Sequence, residues 1–348
     1  MIMTPFYEPF EPTTLVCQPA AALFITKGGE VEIFSRECSK LITNLFETYT
    51  GTGRTLSLLD EKIFLVGNGD PGANSNQENT YLSIENPHDG LFGMKYSLRP
   101  LLTDGIPFQH VSLVSRNELF VLGGKYQTNI KYTRSGIWKM KPSFRQDGSI
   151  FLPNFIASCS VKIDISVHVI FGGKNNMKRV VKIDTDLEEV YEMKPVDLER
   201  MSHGCQLLTR SIVLLSGGLT SQGRIQEQDE LYDIESEEVV KVLDVAESLR
   251  RYNHATIKMG EEIFALGGRD SIENKNDPLK VRVFNTDTKE WHYFPQDLLS
   301  SETSDLVLTP YALSSLDCVR ECTCGIVSKG KRIFGGSEAE VKKIIVWF

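Results

Sequence analysis

The chain has 348 residues, of which 41% are hydrophobic, 24% charged and 9% aromatic, a composition that excludes a mainly disordered or fibrous chain. Acidic residues outnumber basic ones by 46 to 38, and the formal charge of −8 makes whole-molecule attraction to nucleic acid or an anionic membrane a poor basis for function. The length fits two ordinary domains or one large repeat structure.

At the start of the chain, Met1 to Phe6 lacks the basic segment and apolar core of a secretory signal. From there a short apolar, β-type run ending in two glycines, or a near match, recurs. The runs are Leu23 to Gly29, Ile63 to Gly69, Leu119 to Gly124, Val167 to Gly173, Ile212 to Gly218, Ile263 to Gly268 and Arg332 to Gly336. Their average spacing is about 51 residues, and an internal period of that size signals one supersecondary unit per repeat.

Other residues keep register with the glycines. Histidine recurs about thirteen residues upstream, at His110, His203 and His254, and arginine stands three residues earlier in Arg200-Met201-Ser202-His203 and Arg251-Tyr252-Asn253-His254. Downstream, apolar residues seven apart mark a further pair of strands, as in Ile183/Val190, Tyr232/Val239 and Phe284/Trp291, and aspartate follows two of the first positions at Asp184 and Asp233. The stretch from 125 to 165 keeps only Trp138, and the last unit has Cys322 in place of histidine.

This set of landmarks resembles the kelch repeat. The resemblance implies an all-β, kelch-like β-propeller of four-stranded antiparallel blades, one domain over residues 1–348. Four short strands separated by turn residues cannot bury both faces of one sheet, whereas radial packing buries each sheet against its neighbours. Seven glycine pairs predict seven blades, with six as the alternative if the first hairpin, Leu23 to Phe34, starts irregularly. Ring closure is expected from residues 1–12 as an outer strand beside the strand at 341–348.

Chemical sites are sparse. Three of the six histidines share one repeat position, which reads as packing and hydrogen bonding rather than metal ligation. Cys318, Cys322 and Cys324 lack the second pair that a structural zinc needs. The seven cysteines are odd in number and scattered, which predicts free thiols in an intracellular, cytoplasmic setting. No apolar stretch approaches the length of a membrane span. Nucleophile elbows, metalloprotease motifs and phosphate loops are absent from the sequence, so no catalytic residue, metal or cofactor is expected.

The expected function is therefore a non-enzymatic interaction module. In an antiparallel blade the loops after the glycine pairs and before the first strands share one mouth of the channel, and loops on rigid scaffolds commonly carry recognition. Candidate partner-binding residues there are Arg54, Arg200, Arg251, Lys125, Lys131, Arg134, Lys174, Lys178 and Arg179. In kelch substrate adaptors, arginines at this motif position bind acidic peptides, which the resemblance implies for Arg200 and Arg251 in particular. The expected partner is thus a protein, through an acidic peptide or loop. Two other readings are a propeller enzyme acting on a sugar or small molecule at the mouth, and a domain serving as structural mass. An adaptor domain of the F-box or helical type is not expected, because about a dozen residues precede the first blade.

Overall fold

The computed structural model describes residues 109–116, 118–125, 128–133, 138–140, 144–151, 154–271 and 281–294, together with the strands named below that lie outside those ranges. The first group is β1 (Ala21–Ile25), β2 (Glu30–Ser35) and β3 (Ser39–Asn44). The second is β4 (Thr55–Leu59), β5 (Lys62–Val66), β6 (Thr80–Glu85) and β7 (Lys95–Pro100), and the third is β8 (Val111–Ser115), β9 (Glu118–Gly123), β10 (Thr128–Tyr132) and β11 (Trp138–Met140). A hairpin, β12 (Phe144–Gln146) and β13 (Ser149–Phe151), precedes the fourth group of β14 (Cys159–Lys162), β15 (Val167–Phe171), β16 (Val180–Asp184) and β17 (Glu189–Met193). The fifth is β18 (Gly204–Leu207), β19 (Ile212–Ser216), β20 (Gln228–Asp233) and β21 (Glu238–Asp244). The sixth is β22 (Tyr252–Met259), β23 (Glu262–Arg269), β24 (Arg282–Asn285) and β25 (Glu290–Tyr293), and β26 (Val307–Thr309) comes last.

Each group forms an antiparallel sheet in chain order, and β26 completes the first by pairing with β1 through Leu23 and Thr309. The innermost strands β26, β4, β8, β14, β18 and β22 adjoin one another around a closed circle, so the arrangement is propeller-like. Among the described residues the strands make six sheets, where the glycine pairs predict seven blades. Six of the seven glycine-ended runs each supply the second strand of one of these sheets, and the first sheet takes its innermost strand from β26. The seventh pair, Gly335-Gly336, and both segments expected to close the ring, 1–12 and 341–348, lie outside the described residues.

Burial changes from the axis outward. The second strands are buried almost throughout, as in β19 and β23, because a neighbouring sheet covers each face. The outermost strand β21 is largely exposed. Degenerate patterning between 125 and 165 has a structural cause. The hairpin β12–β13 is inserted between the third and fourth sheets and extends the outer edge of the fourth, where Arg145 bridges in parallel to Glu189.

Between sheets, the repeat motifs act in concert. Gln109, Ala157 and Ser202, each two residues before an innermost strand, and Asn253, the second residue of β22, all have φ of 54–56°. The amides of Ala157, Ser202 and Asn253 donate in turn to the carbonyls of Gln109, Ala157 and Ser202, a relay of backbone bonds from sheet to sheet. The first glycine of each pair lets the next sheet approach. A Cβ on Gly172 would lie 2.5 Å from the Arg200 carbonyl oxygen and 3.0 Å from the His203 ring. At Gly217 it would overlap the Arg251 carbonyl oxygen and meet the His254 ring at 3.0 Å.

The aspartates of the third strands end those strands. Asp184 Oδ1 accepts from the amides of Asp186 and Leu187, and Asp233 Oδ1 accepts from that of Glu235, forming turns that close with Glu188 and Glu237 at φ of 54° and 57°. Tyr232 places its ring edge-on to Phe171 of the preceding sheet, at 5.5 Å, and donates its hydroxyl to the Lys194 carbonyl.

One finding corrects the expectation of free thiols. Cys159 on β14 and Cys205 on β18 are joined by a disulfide across adjacent sheets, with Cα atoms 5.9 Å apart. The other five cysteines lie outside the described residues. The scatter of cysteines along the chain conceals this pair because the two partners are one repeat apart.

Candidate functional site

Arg200 shows how the repeat motif uses its arginine. The side chain is fully buried. Its Nε donates to Glu230 Oε2 at 3.0 Å, Nη1 to the Gly217 carbonyl at 2.9 Å and Nη2 to the Gln228 carbonyl at 2.7 Å. Glu230 Oε1 in turn accepts from the amides of Asp197 and Leu198. Meanwhile the Arg200 carbonyl accepts from Gly173 of the preceding sheet. One residue thus holds the fourth sheet with its main chain and the fifth with its side chain.

Arg251 repeats the device. Its carbonyl accepts from Gly218 of the fifth sheet, and its Nη1 donates to the Gly267 carbonyl of the sixth. With only 2% of its surface exposed, Arg251 is withdrawn from solvent much like Arg200. Both therefore depart from the partner-binding role expected of them: a guanidinium removed from water needs all the internal acceptors it can reach. Glu230 and the glycine carbonyls supply them.

The remaining cations divide into two sets. Lys131 lies within β10, where it pairs with Glu118 at 3.0 Å and sits over the Phe120 ring, so it belongs to a strand and not to a mouth loop. Arg179 makes a bidentate pair with Glu192 and covers Phe151. Lys125, Lys174 and Lys178 are exposed, Lys125 just after β9 and the other two between β15 and β16. Arg54 and Arg134 lie outside the described residues. Among the described residues, Arg200 and Arg251 are accordingly not presented at the mouth.

The histidines follow the structural reading. His110 Nε2 meets Thr55 Oγ1 at 2.6 Å, His203 Nε2 meets Cys159 Sγ at 3.1 Å and His254 Nε2 meets Ser216 Oγ at 2.8 Å, each partner being on the preceding sheet. Burial lowers the pKa of His110 to about 3, and burial with the nearby Arg200 lowers that of His203 to about 3. His254 is held well below the ordinary value by burial, with Arg282 and Arg251 adding to the effect. These rings are neutral across the physiological range.

The mouth face instead carries a cleft that sequence reading did not single out. It has a volume of about 500 Å³ and lies between the fourth and fifth sheets. Lys178 and the segment Asp197 to Glu199 form one wall, and the loop from Thr220 to Gln228 forms the other. The loop is firmly built. Leu219 bridges to both Met201 and Ile225, the Thr220 amide donates to the Arg224 carbonyl, and Gly223 at φ 73° makes the turn. The Ser221 amide donates to the Glu199 carboxylate, and bonds from Ser221 hold that carboxyl below its usual range. Asp197, Glu199 and Lys178 on one wall and Arg224 and Glu227 on the other thus line an open polar groove of mixed charge. Thr220 to Gly223, a turn sequence in the connection between β19 and β20, is the signal that marks this arm in the sequence.

Among the described residues, no group of three or more histidine, cysteine, aspartate or glutamate side chains is arranged to hold a metal ion, and no helix is long and apolar enough to cross a membrane. Comparison with known proteins is silent on identity: no protein-family model matches the chain and no curated protein matches it.

Proposed function

We propose that this chain is a degenerate kelch-type propeller that acts as a non-enzymatic protein-interaction module, holding a peptide or loop of a partner protein in the cleft between its fourth and fifth sheets. The observation that carries the reading is the rigid, hydrogen-bonded arm from Leu219 to Gln228, which presents polar side chains to an open groove. A preorganised loop loses little freedom on binding, which favours recognition of an extended segment. The strongly perturbed histidines lie in sheet interfaces and not in the cleft, and this favours binding over catalysis.

Burial of Arg200 and Arg251 removes the two residues that motivated an acidic partner. The groove favours a polar segment with a basic or amide group opposite Glu199 and an acceptor opposite Arg224. A photocrosslinker in place of Gln222 tests this. It should capture one partner segment, and a synthetic peptide of that segment should bind the purified protein at least tenfold less tightly after Glu199→Ala or Arg224→Glu. Equal capture from a crosslinker at Val240, on the far outer strand, would overturn the cleft as the site.

A further inference from the structure

The Cys159–Cys205 bond joins the two sheets that border the cleft, and its position in the repeat shows what it replaces. Cys159 pairs with Phe171, immediately before Gly172, just as Thr55 pairs with Val66 immediately before Gly67. Cys205 lies two residues after His203, as Ser112 lies two residues after His110. In that other interface Thr55 hydrogen-bonds to both Ser112 and His110. Between the fifth and sixth sheets the corresponding residue is Gly204, where a Cβ would lie 2.6 Å from Thr256 and 2.8 Å from His254. The niche is therefore filled by paired hydroxyls in one interface, by sulfur in a second and by the Thr256 and His254 side chains against Gly204 in a third, and the relay of backbone bonds crosses the fifth–sixth interface as it crosses the fourth–fifth.

That equivalence means the fold does not require a covalent bond at this place. We propose that Cys159 and Cys205 are a reversible dithiol–disulfide site that locks and unlocks the wall of the cleft between the fourth and fifth sheets. The regulatory half of the proposal rests on the cleft reading above. Cys159 is half-buried, Cys205 is 8% exposed, and the separation of their Cα atoms suits a disulfide without backbone movement.

The chemistry is thiol–disulfide exchange with a small disulfide such as oxidised glutathione. The Cys159 sulfur attacks it, forming a mixed disulfide and releasing one molecule of thiol, which takes up the proton lost from Cys159. The Cys205 sulfur then attacks the Cys159 sulfur of that mixed bond and releases the second thiol with the second proton. Two protein thiols are oxidised and one small disulfide is reduced. An excess of reduced glutathione runs the exchange backwards. In the reduced state His203 Nε2, 3.1 Å from Cys159 Sγ, is placed to accept the hydrogen bond of the thiol.

The lock reaches the cleft through short covalent paths. Cys205 lies five residues from Arg200, whose side chain fixes Glu230 and through it the amides of Asp197 and Leu198. Met201 and Leu219 bridge the two walls directly.

The full-length protein, equilibrated with oxidised or reduced glutathione, tests the proposal by thiol alkylation with mass spectrometry and by amide hydrogen exchange. Oxidation should protect Cys159 and Cys205 from alkylation and slow exchange at 197–201 and 218–228 by on the order of tenfold, a modest share of what such a crosslink contributes to stability. Cys159→Ser and Cys205→Ser, which restore the hydroxyl chemistry of the Thr55–Ser112 niche, should fold and show the same exchange in both conditions. Full alkylation of both cysteines after oxidation, or equal exchange at the cleft in the two wild-type states, overturns it. Neither readout needs a partner, so failure of the crosslinking test at Gln222 leaves this one standing.

Discussion

The interface between the fourth and fifth sheets and the interface between the fifth and sixth are built on one plan with different chemistry. In both, an arginine carbonyl receives a glycine amide from the preceding sheet while the guanidinium reaches a glycine carbonyl of its own. In both, a neutral histidine leans on the preceding sheet. The first interface adds the Arg200–Glu230 pair and a disulfide. The second adds a reach of Trp291 Nε1 to Asp229 Oδ2 at 2.6 Å, with Arg282 stacked over Trp291. The difference teaches that the motif specifies backbone docking, whereas the strength and reversibility of each joint are set by residues outside it.

Acid should weaken both joints. Because burial lowers the folded-state pKa of His110, His203 and His254, the unfolded chain binds their protons first as pH falls. Their contribution is complete above the ordinary histidine value near 6.5 and is lost as pH falls from there toward the folded value of about 3. The slope in that window should approach about 1.4 kcal/mol per pH unit for each histidine. Chemical denaturation at a series of pH values measures it, and His203→Gln and His254→Gln should each remove one histidine's share. Equal slopes in the variants and the wild type would contradict the assignment.

Next in size is the ion pair. Glu230→Ala leaves Arg200 buried without its carboxylate and should cost about 3–5 kcal/mol, because an uncompensated internal charge is worse than none. Urea denaturation would read it, and a loss below about 1 kcal/mol would place Arg200 in water.

The glycines separate crowding from backbone strain. Gly217→Ala meets both a positive φ of 57° and the Arg251 carbonyl, and should cost about 2–4 kcal/mol. Gly223 has φ of 73° with nothing near its Cβ position, so Gly223→Ala should cost only about 1 kcal/mol. Similar losses at the two sites would deny the close approach of the sixth sheet. Smallest is Tyr232→Phe, which keeps the contact with Phe171 and loses one bond to Lys194, a change of about 1 kcal/mol in thermal unfolding.

How much of this is legible in the chain depends on the range over which each feature acts. The glycine pairs, the Arg-x-x-His spacing and the aspartates of the turns are local, and each keeps its register because one strand and one turn set it. The hairpin at 144–151 is hidden because it interrupts the period, and the closure by β26 is hidden because it pairs residues nearly 300 apart along the chain. Arginine beside a first strand looks like a surface charge until the neighbouring sheet is placed on top of it.

The sequence by itself determined an all-β repeat whose short strands must pack radially, since no single unit can bury both of its faces. Only the tertiary structure decided that Arg200 and Arg251 clamp sheets together, that Cys159 and Cys205 meet, and that the mouth offers a mixed-charge cleft. Each of these depends on what one sheet brings against the next, and desolvation then turns an apparent binding charge into an internal tie.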